Sequence, residues 1–321
     1  MKILVTGVAG FIGFHLVKKL LDKKIIVYGI DNINDYYDRG IKKARLKELK
    51  RSKNFIFYFI SLSNKQKINN IVKKNKISYI INLAAQAGVR YSITNPQEYF
   101  TSNIEGFFNI LEISKENKIK HLIYASTSSV YGNNKKFPLK EESKTDQPLS
   151  FYAASKKTNE VMAYSYSNIY KLPTTGLRFF TVYGPFGRPD MALFKFTKSL
   201  FTNKHISLFN NGNHSRDFTY IDDIVEGIFL LIKKPSNKII PYNIFNIGSN
   251  APKKLNLFIK IIEKLVNKKS KIKKLPLQLG DVKKTHASIN KLTKYVGYKP
   301  KYNITIGIKK FVDWYIKYYK L

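Results

Sequence analysis

The stretch Lys2-Ile3-Leu4-Val5-Thr6-Gly7-Val8-Ala9-Gly10-Phe11-Ile12-Gly13 passes from an apolar strand, Lys2–Thr6, through three glycines into a helix over Phe11–Leu21. Glycines let a backbone turn tightly and approach a pyrophosphate. The helix N-terminus adds free N–H groups and the positive end of a dipole. The spacing G-x-x-G-x-x-G is one residue wider than the common G-x-G-x-x-G fingerprint, so its weight comes from its setting. A second strand, Ile25–Ile30, ends at Asp31. A carboxylate there accepts from both hydroxyls of an adenosine ribose and repels a 2′-phosphate, which favours NAD over NADP.

Working outward, further strands are expected at Phe55–Ile60, Tyr79–Leu83, His121–Ser126 and Thr174–Phe179, with helices between them, notably Pro96–Lys115 and Ala153–Lys171. Strands alternating with helices predict an α/β fold, a doubly wound parallel sheet covered on both faces. Ligands bind such sheets at the carboxyl ends of the strands, where strand order reverses. After Val182 the rhythm changes: Gly184, Pro185, Gly187 and Pro189 mark a loop, and short helices and strands follow. Leu257, Ile261, Ile262 and Leu265 place an amphipathic helix within Lys253–Lys274. The expected division is a dinucleotide-binding domain over residues 1–181, rejoined by segments near 218–248. A smaller C-terminal α/β domain over residues 182–321 mainly binds substrate.

The chain has 321 residues, 44% of them hydrophobic, which excludes wholesale disorder. No cysteine is present, so disulfides, thiolate zinc sites and cysteine nucleophiles are excluded. No apolar run is long enough to span a bilayer. The apolar start is broken by glycines and lacks a signal-peptide cleavage site, so the cytoplasm is the expected compartment. The net charge of +36 would suit a polyanion partner. The excess is nearly all lysine, however, spread evenly among abundant Asn and Ile, as A/T-rich codon usage would produce. No nucleic-acid motif accompanies it, and neither a specific nucleic-acid partner nor membrane insertion is expected. Against that background the seven arginines, Arg39, Arg45, Arg51, Arg90, Arg178, Arg188 and Arg216, mark places that need a planar, two-pronged donor.

Two further motifs carry chemistry. Tyr152-Ala153-Ala154-Ser155-Lys156 opens a helix and sets a phenol and an ammonium on one face. The ammonium is expected to lower the tyrosine pKa so that the phenolate acts as a base. Ser126-Thr127-Ser128-Ser129 ends a strand and offers four small hydroxyls to a sugar hydroxyl or a carboxylate. No metal-ligand set is evident.

In the order glycine loop, Ser/Thr cluster, Tyr-x-x-x-Lys, the chain resembles the extended short-chain dehydrogenase/reductase family along its whole length. More narrowly it is similar to the NAD-dependent nucleotide-sugar epimerases acting on UDP-glucuronate. That likeness rests on Ala84–Ser92, Arg178–Pro185, Gly187–Ala192, Arg216–Asp223 and Gly280–Val282. The resemblance implies a Rossmann-type fold and a 4-epimerisation through a 4-keto sugar. It makes Tyr152 the base, Lys156 its partner on the nicotinamide ribose, and Thr127 the donor to the reacting hydroxyl. Gly7, Gly10, Phe11, Ile12 and Gly13 would hold the NAD pyrophosphate, and Asp31 and Asn32 the adenosine ribose. Leu83, Ala84, Ala85 and Phe179 would line the cofactor groove, with Asn103 close behind it. Arg216 would bind the UDP diphosphate, with Arg188 and Asp281 nearby and Arg90 over the sugar. With such a substrate the carboxylate becomes β to a ketone once carbon 4 is oxidised, and hydroxyl donors at Thr127, Ser128, Ser129 and Thr181 are expected to hold it.

Two positions depart from the family's pattern: Ser61 and Ser288 stand where Asp is usual. UDP-glucose 4-epimerase and UDP-glucuronate decarboxylase are the alternative activities. The Ser128-Ser129 pair weakens the decarboxylase reading, because those relatives tend to carry Glu where Ser129 stands. A non-catalytic NAD- or polyanion-binding protein is the alternative from another class, and the intact Tyr152, Lys156 and Thr127 argue against it. The helices Pro96–Lys115 and Ala153–Lys171 would pair with a second copy in a four-helix bundle, as the family often does.

Overall fold

The computed structural model describes all of residues 1–321. The first half runs β1 (Lys2–Thr6), α1 (Phe11–Asp22), β2 (Ile26–Asp31), α2 (Arg39–Leu49), β3 (Phe55–Phe59), α3 (Lys65–Asn75) and β4 (Tyr79–Asn82). It continues through α4 (Tyr91–Thr94), α5 (Pro96–Tyr99), a π-helical turn (Phe100–Glu105), α6 (Gly106–Glu116), β5 (His121–Thr127), α7 (Phe151–Tyr170) and β6 (Thr174–Phe179). The second half holds β7 (Thr181–Tyr183), α8 (Ala192–Phe201), β8 (His205–Phe209), β9 (Ser215–Tyr220), α9 (Ile221–Leu231) and β10 (Tyr242–Ile247). It ends with β11 (Pro252–Lys254), α10 (Leu255–Val266), β12 (Lys271–Leu275), α11 (Asn290–Val296) and α12 (Ile304–Tyr319).

Seven strands form one parallel sheet in the order β3-β2-β1-β4-β5-β6-β10. Both faces are buried, as a parallel sheet requires. Within β1, Ile3 and Val5 enter one apolar cluster and Leu4 the other, and all three are fully buried. Strand order reverses between β1 and β4, which pair in register from Ile3↔Tyr79 to Thr6↔Asn82. The crevice above that point is where the sequence places a ligand.

The expected helix Pro96–Lys115 is not one helix: the π-helical turn at Phe100–Glu105 interrupts it. Tight packing accompanies the change. A Cβ on Gly106 would come within 2.7 Å of Leu62 Cβ, so the chain approaches the turn after β3 more closely there than a side chain allows. Of the segment near 218–248, β9 stays in a small sheet ordered β11-β9-β7, whereas α9 packs on α1 and β10 pairs in parallel with β6. The predicted amphipathic helix is α10, flanked by short strands that the sequence reading did not resolve.

Candidate active site

A cleft of about 920 Å³ opens at the carboxyl ends of the strands. One wall is the glycine loop. Gly7 has φ +74°, and a Cβ on Gly13 would lie 2.1 Å from the Gly7 carbonyl oxygen, so neither position admits a side chain without moving the loop. Gly10 is the N-cap of α1 and supplies no side-chain cap, which leaves the first-turn N–H groups facing the cleft. Asp31 accepts from Ala9 N at 2.9 Å and from Ile33 N at 2.7 Å. Its carboxylate therefore fixes the loop while keeping lone pairs for a further donor. Burial pushes the Asp31 carboxyl up, opposed by those two N–H bonds and by Lys42 and Arg45. Asn32, Phe11, Ile12, Leu83, Ala84, Ala85 and Phe179 line the same wall. Thr6 ties this wall together, donating to Asn82 Oδ1 at 2.6 Å and accepting from Ala84 N at 3.1 Å. An uncapped helix start beside a glycine turn and a fixed acid fits a dinucleotide with a free 2′-hydroxyl.

Asn103 does not reach the groove. It is buried in the π-helical turn, bonds Gln86 through both backbone polar atoms, and donates to Ser155 Oγ at 3.0 Å. Its place is behind the cleft, joining the Gln86 loop to α7.

At the floor, Ser150 caps α7 by accepting from Ala153 N at 3.2 Å, which sets Tyr152 and Lys156 in its opening turns. Thr127 ends β5, and its hydroxyl is 3.2 Å from Ser129 Oγ. Arg178 fixes the two elements relative to each other. It grips Glu160 of α7 with two bonds of 2.9 and 2.8 Å and donates to Tyr131 OH and Glu141 O. Ser126, the first residue of the hydroxyl cluster, donates to Glu160 as well and is not free for a ligand. Ser128, Ser129 and Thr181 line the cleft.

The expected electrostatics of the tyrosine need correcting. Burial pushes the Tyr152 phenol up, opposed by the Thr127 hydroxyl and then by the charge of Arg188. Lys156 is not among the groups that shift it. Its ammonium donates to Ala125 O at 3.0 Å, and burial lowers its own pKa to about 7. Desolvation disfavours the charged form of each group here.

The opposite wall is built from charged side chains of distant segments. Arg188 holds Asp190 with bonds of 3.0 and 2.5 Å, and Tyr36 donates to the same carboxylate at 3.1 Å. Arg216 donates to Asp281 at 2.7 Å, with buried His214 at 3.6 Å from that acid. Burial, then Arg216, holds His214 below the usual histidine range. Arg90 is exposed at the rim, its guanidinium 5.6 Å from the centre of the Phe209 ring. The sequence reading gave no role to Tyr36, Lys42, Asp190, Lys195 or His214, all of which line the cleft. Of these, only Asp190 lies within a stretch that carries the family resemblance, Gly187–Ala192. Ser61 also lines the cleft, whereas Ser288 is buried away from it, its N–H bonded to Leu139 O.

A parallel sheet with a glycine loop at its reversal point and a Thr/Tyr/Lys floor defines a dinucleotide-dependent enzyme class, and comparison identifies which one. Residues 3–248 match the NAD dependent epimerase/dehydratase family, and the chain belongs to it. Protein CapI of Staphylococcus aureus is 49% identical, with 100% of both chains covered. A UDP-glucuronate 4-epimerase of Thermodesulfobacterium geofontis is 45% identical, over 97% of this chain and 95% of its own. The crystal structure of a Bacillus cereus UDP-glucuronic acid 4-epimerase, in complex with UDP-glucuronic acid and NAD, superposes with a TM-score of 0.93. It is 33% identical, over 99% of this chain and 100% of that one.

Proposed function

We infer that this chain inverts carbon 4 of UDP-glucuronate, giving UDP-galacturonate through a 4-keto sugar, and is thus an isomerase. The observation that carries the reading is the convergence of Thr127, Ser128, Ser129 and Thr181 with Tyr152 and Lys156 in one cleft. Bound NAD supplies the acceptor, and then the donor, of the hydride at carbon 4. Tyr152 removes the proton of the carbon 4 hydroxyl while Thr127 orients that hydroxyl. Lys156 takes up positive charge as the phenolate forms. The glycine loop and Asp31 hold the dinucleotide, and Arg216 and Arg188 bind the diphosphate side of the substrate. Hydroxyl donors at Ser128, Ser129 and Thr181 hold the carboxylate while it is β to the ketone, which opposes loss of carbon dioxide.

This reading divides the protein into a dinucleotide half, residues 1–181 with α9 and β10, and a sugar half made of the remainder. It also assigns a homodimer. Phe100, Phe108, Val161 and Tyr164 are all more than a third exposed on the Pro96–Glu116 segment and α7, and a second copy would cover them. No helix is long and apolar enough to cross a membrane. The cytoplasm is the compartment this reading assigns, since a cysteine-free chain gains no disulfide elsewhere.

A proton NMR time course tests the reaction. Purified protein with UDP-glucuronate should form UDP-galacturonate to a stable mixture with no pentose. UDP-xylose or a 4-keto pentose would identify a decarboxylase, and turnover of UDP-glucose alone would mean that the sugar pocket is misread. Thr181→Val with Ser128→Ala should add pentose to the product; an unchanged ratio would remove the carboxylate-holding role.

A further inference from the structure

Arg45 is fully buried, yet it belongs to neither the dinucleotide loop nor the sugar wall. Its guanidinium joins them. Nη1 donates to Ala9 O at 2.7 Å and to Tyr37 OH at 2.8 Å. Nη2 donates to Phe186 O at 2.6 Å and Gly187 O at 3.4 Å. Ala9 lies within the glycine loop, and its N–H donates to Asp31. Gly187 directly precedes Arg188. A second tie runs parallel: His15 of α1 bonds Pro185 O through Nε2 at 2.9 Å, and the Phe14 and Phe186 rings are 4.9 Å apart. A carbonyl can only accept, so that histidine carries its proton on Nε2. Burial keeps the ring neutral, with a pKa near 3. Phe186 itself holds φ +54°, a conformation that side-chain-bearing residues rarely adopt, so the loop needs external bonds to keep its shape.

We propose that Arg45 is a positioning residue that locks the dinucleotide loop to the Gly184–Asp190 loop, so that binding in one half of the cleft strengthens binding in the other. Lysine is the poorer choice here. Its donors radiate from a single nitrogen, whereas the planar fork sets two nitrogens side by side, Nη1 on Ala9 O and Nη2 on Phe186 O. The consequence is reciprocal: whatever factor NAD adds to nucleotide affinity, the nucleotide adds to NAD affinity. The inference rests on the proposed cofactor and UDP sites but not on the identity of the sugar.

The test uses UDP as probe and Trp314 as reporter. Trp314 is the only tryptophan, and its ring is 4.9 Å from Phe186. UDP dissociation constants are measured on the full chain with and without NAD. The wild type should bind UDP about tenfold more tightly with NAD, or about 1.4 kcal/mol. Arg45→Lys should cut that factor to below twofold while leaving UDP affinity without NAD unchanged. His15→Leu should lower the factor severalfold, and His15→Gln, which keeps a donor, should restore it. Should Arg45→Lys fail to fold, the histidine pair decides. No coupling in the wild type, full coupling in a folded Arg45→Lys, or, where that variant does not fold, full coupling in His15→Leu, overturns the proposal. Coupling without turnover of UDP-glucuronate would keep it and reject the sugar assignment instead.

Discussion

The two walls of the cleft recognise ligand by different means. The dinucleotide wall is backbone: three glycines, uncapped N–H groups and one acid, Asp31, all within the first 31 residues. The sugar wall is side chains: Tyr36 meets Asp190 across 154 positions, and Arg216 meets Asp281 across 65. A backbone site is specified by local geometry and tolerates almost no substitution. A side-chain site is assembled by the tertiary fold and can be retuned one residue at a time.

The largest effect is therefore expected on the backbone wall. Gly13→Ala should abolish NAD retention and activity, because the new Cβ would meet Gly7 O at 2.1 Å. Absorbance of the purified variant reports the bound dinucleotide. On the opposite wall, Arg216→Ala removes one charge-assisted contact of roughly 1.5–3 kcal/mol. It should raise KM for the UDP-sugar by about 10- to 100-fold, with NAD content unchanged. Equal damage to both ligands from either substitution would break the contrast.

Between the walls, Lys156 gives a pH signature. Its folded pKa of about 7 lies below the usual lysine value of 10.5. Between those values the unfolded chain binds a proton that the native chain does not, so stability rises with pH through that window. Lys156→Met should be more heat-stable than wild type near pH 7, and the gap should close toward pH 10. A constant gap would place the lysine's cost elsewhere. The smallest effect concerns Ser61, just beyond the end of β3. Ser61→Asp, restoring the family's usual acid, should tighten NAD about threefold by one added hydrogen bond. No change would mean that the adenine is held by backbone there too.

The same contrast explains what the sequence disclosed. Strands β1 to β6 and the glycine loop were legible because apolar period and glycine spacing are local signals. The π-helical turn was not, since Phe100–Glu105 keeps helical periodicity and only the close contact at Gly106 betrays the change. Asn103 sits behind the groove, as expected, but its bonds to Gln86 and Ser155 were not legible. Rare arginines were a useful guide: Arg45, Arg178, Arg188 and Arg216 each use the guanidinium on partners within the fold, while Arg39 and Arg51 are simply exposed. Their partners were invisible, because ion pairs between distant segments leave no periodic trace.

The most direct test follows the hydrogen on carbon 4. UDP-glucuronate carrying deuterium there is incubated with the protein in ordinary water, and the UDP-galacturonate formed is read by NMR and mass spectrometry. The account predicts that the label stays on carbon 4 of the product, that turnover is slowed, and that Tyr152→Phe reduces kcat by about 10²–10⁴-fold with NAD still bound. Deuterium lost to solvent, or turnover undiminished in Tyr152→Phe, would contradict it.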